Sequence, residues 1–593
     1  MKENNLAFQK ILDDRFGMFV HFGIYSAMAG SYNGRKCEWL GEWIQQRLEI
    51  PIAEYEAFGR KYFCPAPDFA KNLVASAKKA GIKYIVLTSK HHDGFCLFKS
   101  EYTDYSTYGF FGRDICKELS DECKKQGMGL GFYYSHTLDW YEKDAGGNME
   151  SSTKIPQKNR NYWDYPDDNI KLEKYLYEKC FPQVKELLTN YGDLKIIWFD
   201  YPHDILKEQS QELRALVKSL QPDCQINSRI AHNCNDYESL GDNALPVAPV
   251  GLNMECLITL NDTWGYKAQD NNWKTPDDVC GILCRTLGSN ASLLLNVGPK
   301  GDGSLTRETE DILEKMGEWT ARNSEAVYGG IKGNPFPNIF PWGQIGYKDK
   351  NMYLYIRDKS QKEIKINIGA GNEVEKVSVI GLEEEVRYSF VDGVLTITQT
   401  ETELMMPVYK IEFKNQPDIS KEIVQHGGKL FLGVLWASKV EKGNENGEST
   451  KLFYEKGPFI DDYGKHGLCV GKDCQASFWQ DSNEVMCWDA YFTEAGEYEA
   501  SLTHAYTFNR VEQREEYCDY TLTVDGTSQS VNMKEEKRRF YLSKTTDVNT
   551  RIVRDAGVFK IDKPGKYRIL LSKPEPGDDM RIENVEFDKI KSF

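Results

Sequence analysis

Short apolar runs in the first half of the chain end in polar side chains that can do chemistry. His21 follows the run Met18–Val20, the segment Lys90–Asp93 (Lys-His-His-Asp) follows Tyr84–Thr88, and Asp200 ends a third run. The same pattern adds further candidates after other runs: Tyr133, Tyr134, His136 and Arg229. A single histidine after a strand is usually a structural residue. Here five runs are each followed by His, Asp, Tyr or Arg. Because the carboxyl ends of parallel strands converge, this pattern favours a single functional site.

Asp200 is the strongest single candidate for a functional residue. It follows the large apolar residues Ile196–Phe199 and has no basic neighbour in the sequence. A carboxylate at such an edge requires a partner or a catalytic task. It can cap the next helix, or it can act as a nucleophile or base, and the run alone leaves both interpretations open.

The pair His91 and His92 raises the question of a metal. On an extended segment, adjacent side chains point to opposite sides and do not easily share one ion. The sequence contains neither a His-x-His nor an HExxH pattern, so we expect no metal and no cofactor. Hydrogen bonding to several ligand hydroxyls suits the His-His-Asp segment better.

The elements that position these residues alternate between strand-like runs and helix-period segments over about the first 320 residues. This alternation predicts an α/β architecture, and the length predicts a TIM-like (β/α) barrel. The predicted strands are Met18–Val20, Tyr84–Leu87, Gly129–Tyr133, Ile196–Phe199, Cys224–Ile226 and Leu293–Asn296. The predicted helices are Phe69–Ala80, Asp114–Gly127, Leu172–Tyr191, Leu213–Leu220, Asp277–Leu287 and Thr306–Arg322.

The pattern changes after the Gly- and Pro-rich segment that begins at Val327. Alternating apolar and polar residues then predict antiparallel strands. A polar linker over Asn415–Glu422 separates two such regions. We therefore expect a catalytic barrel over residues 1–330, a β-sandwich over 331–416, and a C-terminal β-sandwich over 420–593.

Composition excludes some classes of partner. The 593 residues include 74 Lys and Arg against 90 Asp and Glu, a net charge of −16, which disfavours nucleic acid as a partner. No apolar run reaches the length of about 18 residues that a membrane span requires. The sequence shows no signal peptide, and its 15 scattered cysteines suit a reducing compartment. We expect a cytoplasmic protein, or a secreted or periplasmic one if a signal peptide has been removed.

Six separated segments together resemble the α-L-fucosidases of glycoside hydrolase family 29. The resemblance runs in the family's order over about residues 10–330 and does not extend to the last domain. Its segments are Phe19–Ser26, Lys90–Phe95, Phe132–Ser135 with Asp139 and Trp140, Trp198–Asp200, Asn261–Tyr266 and Leu294–Gly303.

The resemblance implies a retaining hydrolase that removes terminal α-L-fucose from a fucosylated oligosaccharide or glycoconjugate. It implies that Asp200 is the nucleophile and that Glu255 is the acid/base. The residues it implies for sugar binding are His21, Glu38, Trp39, His91, His92, Tyr134, Trp198, Arg229 and Trp264. The chain departs from the family pattern directly after the nucleophile, where many members have Gly and this chain has Tyr201.

Two alternatives to a fucosidase remain at this point. One is a catalytically inactive sugar-binding protein, and the other is an α-L-galactosidase-type side activity. The C-terminal region adds a separate question, because its aromatic residues either fill a core or form a carbohydrate-binding platform. Trp488 has apolar neighbours and is expected in the core, whereas Trp479 lies by a polar turn and is the better surface candidate.

Overall fold

A parallel eight-stranded sheet carries the first half of the protein. A computed structural model describes residues 6–145, 161–165, 171–246, 248–249, 251–454, 467–471, 474–477, 479, 481–505, 508–509, 514–515, 520–531, 533, 535–541, 550–573 and 581–592. The parallel strands are Phe16–Val20 (β1), Tyr84–Lys90 (β2), Gly129–Ser135 (β3), Ile196–Asp200 (β4), Gln225–Ile226 (β5), Glu238–Ser239 (β6), Met254–Thr259 (β7) and Ala291–Val297 (β8).

The strand order is β5-β4-β3-β2-β1-β8-β7-β6, so sequence neighbours are spatial neighbours around a TIM-like barrel. The seam lies between the two-residue strands β5 and β6, where Asp236 N donates to Ile226 O at 2.8 Å. Ser239 N also donates to Ser228 Oγ at 3.1 Å across this seam. Loop contacts therefore close the barrel where the strands are shortest.

Helices connect the strands, mostly where the apolar periodicity predicts them. Their bounds are Leu6–Asp14, Ile24–Met28, Ile44–Arg47, Ile52–Tyr62, Phe69–Lys79, Thr107–Phe111, Ile115–Gln126, Leu172–Tyr175, Phe181–Asn190, Lys207–Leu220, Pro276–Gly288 and Arg307–Arg322. Asp114 caps its helix by accepting from Lys117 N, and Gly127 ends it with a φ of 69°. The helix predicted over Leu172–Tyr191 contains a π-helical turn at Leu176–Cys180.

Antiparallel sheets follow the barrel, which confirms the predicted fold class. One four-stranded sheet contains Gly343–Lys348, Asn351–Ile356, Val408–Phe413 and Val374–Val379, and a three-stranded sheet contains Glu363–Asn367, Val394–Thr398 and Tyr388–Val391. The barrel and this region share one core, since Tyr355 and Met406 belong to the barrel's cluster of buried residues. Trp319 Nε1 donates to Met406 O at 3.0 Å across the same contact. The domain limits at 330 and 416 stay predictions.

The C-terminal region has a separate core built from two larger sheets. One contains Thr450–Lys451, Ser438–Glu441, Glu484–Phe492, Gly565–Ser572, Tyr520–Val524 and Thr527–Val531, with Ile423–Val424 paired to Glu484–Phe492. The other contains Lys429–Gly433, Ile582–Lys591, Gly496–Ala505, Thr550–Ile561 and Arg538–Tyr541. Two-residue pairs complete the described strands: Ser31–Tyr32 with Arg35–Lys36, Cys469–Val470 with Ala476–Ser477, and Phe508–Asn509 with Arg514–Glu515.

Trp488 lies in the C-terminal core, as predicted, but the prediction of an exposed Trp479 is wrong. Trp479 has 0% exposed surface, and its indole Nε1 donates to Glu484 O at 2.9 Å. It packs against Tyr520, at 5.5 Å between ring centroids. Tyr506 and Tyr517, two further aromatic residues of this region that the sequence offers for a carbohydrate-binding platform, lie outside the described residues. Among the described residues, no helix is long and apolar enough to cross a bilayer.

Candidate active site

Asp200 is the last residue of β4 and lies at the carboxyl end of the barrel. Its Oδ1 accepts from Arg229 Nη1 and from Tyr201 N, each at 2.9 Å. Its Oδ2 accepts from the Tyr133 hydroxyl at 2.9 Å, and His92 Nε2 lies 3.9 Å away. The carboxylate is thus held by several donors and keeps a small exposed face.

These donors keep Asp200 ionised. Burial by itself raises the pKa of this carboxyl group, but the charge and hydrogen bond of Arg229 and the hydrogen bond from Tyr133 more than offset that effect. The net result is a pKa below the ordinary value of 3.8. An ionised carboxylate can attack an electrophilic carbon, whereas a protonated one cannot, so this environment is compatible with a nucleophile.

Arg229 links Asp200 to a second carboxylate that the sequence reasoning missed. Arg229 lies in a 3₁₀ turn, Ser228–Ile230, directly after β5. While Nη1 holds Asp200, Nη2 donates to Oδ1 of Asp242. The Asp242 side chain is 52% exposed and lies after β6, across the barrel seam. One planar guanidinium therefore spans the gap between a buried carboxylate and an accessible one.

His21 and His92 each present a fixed ring nitrogen to the pocket. Asn296 Nδ2 donates to Trp264 O at 2.8 Å, so its Oδ1 accepts from His21 Nδ1 at 2.6 Å. Ser135 Oγ donates to Leu138 O at 2.6 Å and accepts from His92 Nδ1 at 2.7 Å. These bonds assign the proton to Nδ1 in both rings and leave each Nε2 as an acceptor.

His91 lies between these two rings. Its ring stacks on Tyr133 at 5.4 Å between centroids and lies 4.1 Å from the ring of His92. Burial lowers the pKa of His21 to about 4 and holds the pKa values of His91 and His92 well below 6.5. The three imidazoles are therefore neutral groups suited to hydroxyl ligands.

The expectation of an extended His91–Asp93 segment is wrong, because the chain turns directly after β2. A buried ionic cluster lies beside this turn, in which Lys90 Nζ and Lys179 Nζ lie 3.0 and 3.1 Å from Asp139 Oδ2. The turn brings both imidazoles to one pocket instead of separating them. Among the described residues, no group of three or more His, Cys, Asp or Glu side chains is arranged to hold a metal ion.

Trp198 lies under the Arg229 guanidinium, with 1% of its surface exposed. Its ring is stacked with Tyr133 at 5.6 Å between centroids, and the Arg229 Cζ lies 4.9 Å from its centroid. Trp264 lies on the far side of His21, at 5.3 Å between ring centroids. Apolar faces therefore alternate with hydrogen-bonding edges around the pocket, as a sugar ring with C–H and hydroxyl faces requires.

Glu255, which the resemblance implies as the acid/base, lies in the barrel interior. It is the second residue of β7, with 0% exposed surface, and its Oε1 accepts from Trp198 Nε1 at 2.9 Å and from Tyr237 OH at 3.2 Å. Burial raises the pKa of Glu255 to about 7. An acid must reach the leaving group, and this carboxyl group is enclosed in the barrel interior. Its position indicates support for the Trp198 ring.

Tyr134 also fails to join the pocket. Successive side chains of a strand point to opposite faces, and Tyr133, the register partner of Trp198, takes the inward position. The Tyr134 hydroxyl instead donates to Gln183 Oε1 at 2.7 Å. Of these two tyrosines, Tyr133 is the one that contacts Asp200. Strand alternation counted from Trp198 and Asp200 was the signal that selects Tyr133.

Glu38 and Trp39 lie at the rim. Glu38 is exposed, and Trp39 is 44% exposed with the Arg47 guanidinium 4.0 Å from its ring centroid. Trp43, which sequence reasoning missed as a site residue, connects Trp39 to the pocket because it lies 5.2 Å from Trp39 and 5.0 Å from His92. Glu38 therefore joins the site only at its outer edge.

Tyr201 completes the rim with an unusual backbone. Its φ is 58°, in the left-handed region that favours glycine, which explains why glycine suits this position. The ring lies 5.4 Å from His92 and 6.3 Å from Trp43 between centroids. Its backbone N–H is one of the donors to Asp200, so the strained conformation contributes directly to the site.

Comparisons with known proteins show which family the chain resembles. A family model described as Alpha-L-fucosidase matches residues 2–325, more than half of the chain. The α-L-fucosidase of Dictyostelium discoideum is 26% identical over 412 residues, which cover 63% of this chain and 83% of that protein. Human plasma α-L-fucosidase is 26% identical over 337 residues, which cover 53% of this chain and 68% of that protein.

Solved structures extend the similarity to the whole chain. The α-L-fucosidase from Vibrio sp. strain EJY3 has the same fold over 99% of this chain and 98% of its own, with a TM-score of 0.79 and 24% identity. AlfC from Lactobacillus casei, solved in complex with α-L-fucose product, is 37% identical, with a TM-score of 0.51, and the match covers 54% of this chain and 99% of that one. This chain belongs to the α-L-fucosidase family of glycoside hydrolases.

Proposed function

We propose that the protein is a retaining exo-α-L-fucosidase in which Asp200 is the nucleophile and Asp242 is the acid/base. The observation that carries this proposal is the Arg229 guanidinium, which bonds both carboxylates at once. Retaining glycosidases hold their two carboxyl groups about 5–5.5 Å apart, and inverting ones hold them about 6.5–9.5 Å apart. A gap spanned by one guanidinium supports the retaining arrangement.

In the first step, a carboxylate oxygen of Asp200 bonds to the anomeric carbon of fucose as the bond from that carbon to the leaving oxygen breaks. Asp242 gives its proton to the leaving oxygen, which departs as a neutral alcohol. The product is a fucosyl ester on Asp200. This step requires an ionised Asp200, and the hydrogen bonds to that residue provide it.

In the second step, Asp242 takes a proton from water while the water oxygen bonds to the anomeric carbon and the ester bond breaks. Arg229 assists the change of Asp242 from acid in the first step to base in the second. While the ester exists, Asp200 carries no charge, so Asp242 is the carboxyl group that remains paired with the guanidinium. Two inversions at the anomeric carbon give net retention.

The neutral histidines bind the sugar in this proposal. The Nε2 atoms of His21 and His92 accept from fucose hydroxyls, because their Nδ1 protons are already donated to Asn296 and Ser135. Trp198 lies against an apolar face of the ring. Glu255 holds that indole in place from beneath, a positioning role that replaces its predicted role as acid.

The stereochemistry of the first product tests the mechanism directly. Proton NMR of an aryl α-L-fucoside during the first minutes of hydrolysis should show α-L-fucose first, followed by slow mutarotation to the β form. Initial β-L-fucose would contradict the retaining mechanism. An aryl α-L-galactoside, which adds a hydroxyl at C6, is the comparison substrate. The absence of hydrolysis of any fucoside would instead favour a sugar-binding protein.

For the natural linkage, we propose an α1,6-linked fucosyl N-acetylglucosamine as the preferred substrate. A variant of AlfC has been solved in complex with Fuca(1,6)GlcNAc, and it is 36% identical over 54% of this chain and 99% of its own. A panel of α1,2-, α1,3- and α1,6-linked fucosyl disaccharides tests the proposal. The highest kcat/KM is expected for the α1,6 linkage, and a higher value for another linkage would contradict it.

A further inference from the structure

A second cleft lies between the middle β-sandwich and the C-terminal region, away from the catalytic pocket. Its volume is about 350 Å³, within the range of small-ligand sites. The edge strand Glu363–Asn367 lines one side, and the strands Lys429–Gly433 and Ile582–Lys591 line the other. The two sides meet closely, since Asn367 N donates to His426 Nδ1 at 3.0 Å.

The cleft contains a buried histidine with a free donor. His426 is 8% exposed, and burial lowers its pKa to about 3, so the ring is neutral. Since Nδ1 accepts from Asn367 N, the ring proton is on Nε2. No partner for Nε2 is found in the described part of the chain. His426 lines the cleft, so this N–H can donate to an acceptor atom of a ligand there.

Two more side chains that line the cleft have a donor without a partner among the described residues. Asn338 is 3% exposed and uses its Oδ1 to accept from Ile339 N at 2.8 Å. Trp342 is also 3% exposed. Neither Nδ2 of Asn338 nor Nε1 of Trp342 has a hydrogen-bond partner among the residues that the structure describes. Three different donors therefore line one cavity.

Carboxylate acceptors line both sides of the cleft. Glu586 lines the cleft without an ion-pair partner within 4 Å among the described residues, and burial raises its pKa. Asp588 also lines it and pairs with Lys429 at 2.6 Å, and Glu363 pairs with Lys365 at 3.5 Å. The cleft thus has more carboxylates than ammonium groups, which disfavours an anionic ligand.

We propose that this cleft is a second carbohydrate-binding site that holds one or two neutral sugar units of a glycan without hydrolysing them. A pyranose supplies hydroxyls that donate to carboxylates, oxygens that accept from N–H groups, and C–H faces that pack on Phe340 and Phe431. A metal ion does not fit, because the described residues offer no suitable cluster of ligands. The site does not depend on the catalytic proposal.

Calorimetric titration of the full-length protein tests this site. The probes are galactose, N-acetylglucosamine, lactose and N-acetyllactosamine, which carry no fucose to cleave. We expect saturable binding of at least one probe, with a Kd of about 0.1–10 mM. Saturating L-fucose, which occupies the catalytic pocket, should leave this binding unchanged. Competition by L-fucose, or no binding of any probe, would overturn the proposal.

Two variants with matched controls locate the binding. Glu586→Gln removes a charged acceptor and should weaken binding about tenfold, whereas Glu375→Gln, on the middle sandwich outside the cleft, should not. Glu363→Trp fills the cleft and should abolish binding, whereas Lys362→Trp should not. All four variants should keep the kcat/KM for an aryl fucoside, which shows that they fold. Equal binding in the cleft variants and their controls would place the site elsewhere and refute the inference.

Discussion

The indole Nε1 of Trp198 donates to Oε1 of Glu255 at 2.9 Å, so the ring beneath Arg229 is anchored by a carboxyl group with no exposed surface. This relationship connects the barrel interior to the catalytic pocket. It also separates Glu255 from Asp242, because the Asp242 side chain is accessible beside Arg229 and that of Glu255 is not. Their substitutions should therefore have different effects.

Asp242→Ala should slow fucosides with poor leaving groups roughly 10²–10⁴-fold and activated aryl fucosides much less, because acid assistance matters most for a poor leaving group. Added azide should then give the α-fucosyl azide by attack on the ester. The comparison variant is Glu255→Gln, which should lower kcat/KM by a similar factor for both substrate classes. A larger leaving-group dependence for Glu255→Gln than for Asp242→Ala would restore Glu255 as the acid.

Asp200→Ala should lower kcat by roughly three to five orders of magnitude while the fold persists, because no ester can form. External azide should restore part of the turnover and give the β-fucosyl azide, the inverted product. Mass spectrometry and NMR of the azide product identify its configuration. Wild-type activity in this variant, or rescue that yields the α-azide, would show that Asp200 is not the nucleophile.

Tyr133→Phe should shift the acid limb of the pH profile of kcat/KM upward by about one pH unit. The Tyr133 hydroxyl donates to Asp200 Oδ2, and loss of a donor to the charged form raises the pKa of a carboxyl group. Activity then declines at a higher pH on the acid side. Tyr134→Phe is the matched control, since its hydroxyl bonds Gln183. Equal shifts in both variants would contradict the assignment of Tyr133.

Glu255→Gln should also change how stability depends on pH. Burial raises the pKa of Glu255 from 4.5 to about 7, so between these values the folded state holds a proton that the unfolded state has released. Folding stability therefore falls as pH rises through this window. Glutamine mimics the protonated form, so the variant should gain Tm relative to wild type at pH 8 but not at pH 4. Glu314→Gln, at an exposed carboxyl group, should show no such difference.

Truncation should distinguish the two β-regions. A chain that ends at residue 416 should fold and hydrolyse an aryl fucoside, because the C-terminal core contains only residues beyond that point. A chain that ends at residue 330 should be insoluble or inactive, since it loses Tyr355 and Met406 from the barrel's core and exposes Trp319. Circular dichroism and fucoside assays check both. An active 1–330 chain would show that the barrel folds without the sandwich.

Local patterns were enough to predict the barrel and the approximate place of Asp200, because strand runs, capping residues and helix periods act over a few neighbours. The same local patterns do not show how deep in the barrel a given side chain lies. Glu255 and Asp200 both occupy strands, but one is the second residue of its strand and the other is the last. Asp242 lies in a loop without periodicity, and its pairing with Arg229 depends on the closure of the barrel.

Trp479 shows the same limit in the C-terminal region. Its polar neighbours in the sequence indicate a turn, but whether a turn faces solvent depends on what packs over it. Here Lys573 Nζ donates to Trp479 O at 2.7 Å, and the indole joins the core. Three-dimensional contact between segments nearly one hundred residues apart decides the burial, and no local pattern carries that information.

The left-handed backbone at Tyr201 costs conformational energy, and the side chain at this position forms part of the barrel mouth. A non-glycine residue there costs about 1 kcal/mol or more, and glycine would remove that cost without loss of the N–H that holds Asp200. The side chain gives the barrel mouth an aromatic wall beside His92 and Trp43. Tyrosine at this position therefore adds a ring contact to His92 and Trp43 that glycine could not make, at a conformational cost that glycine would not carry.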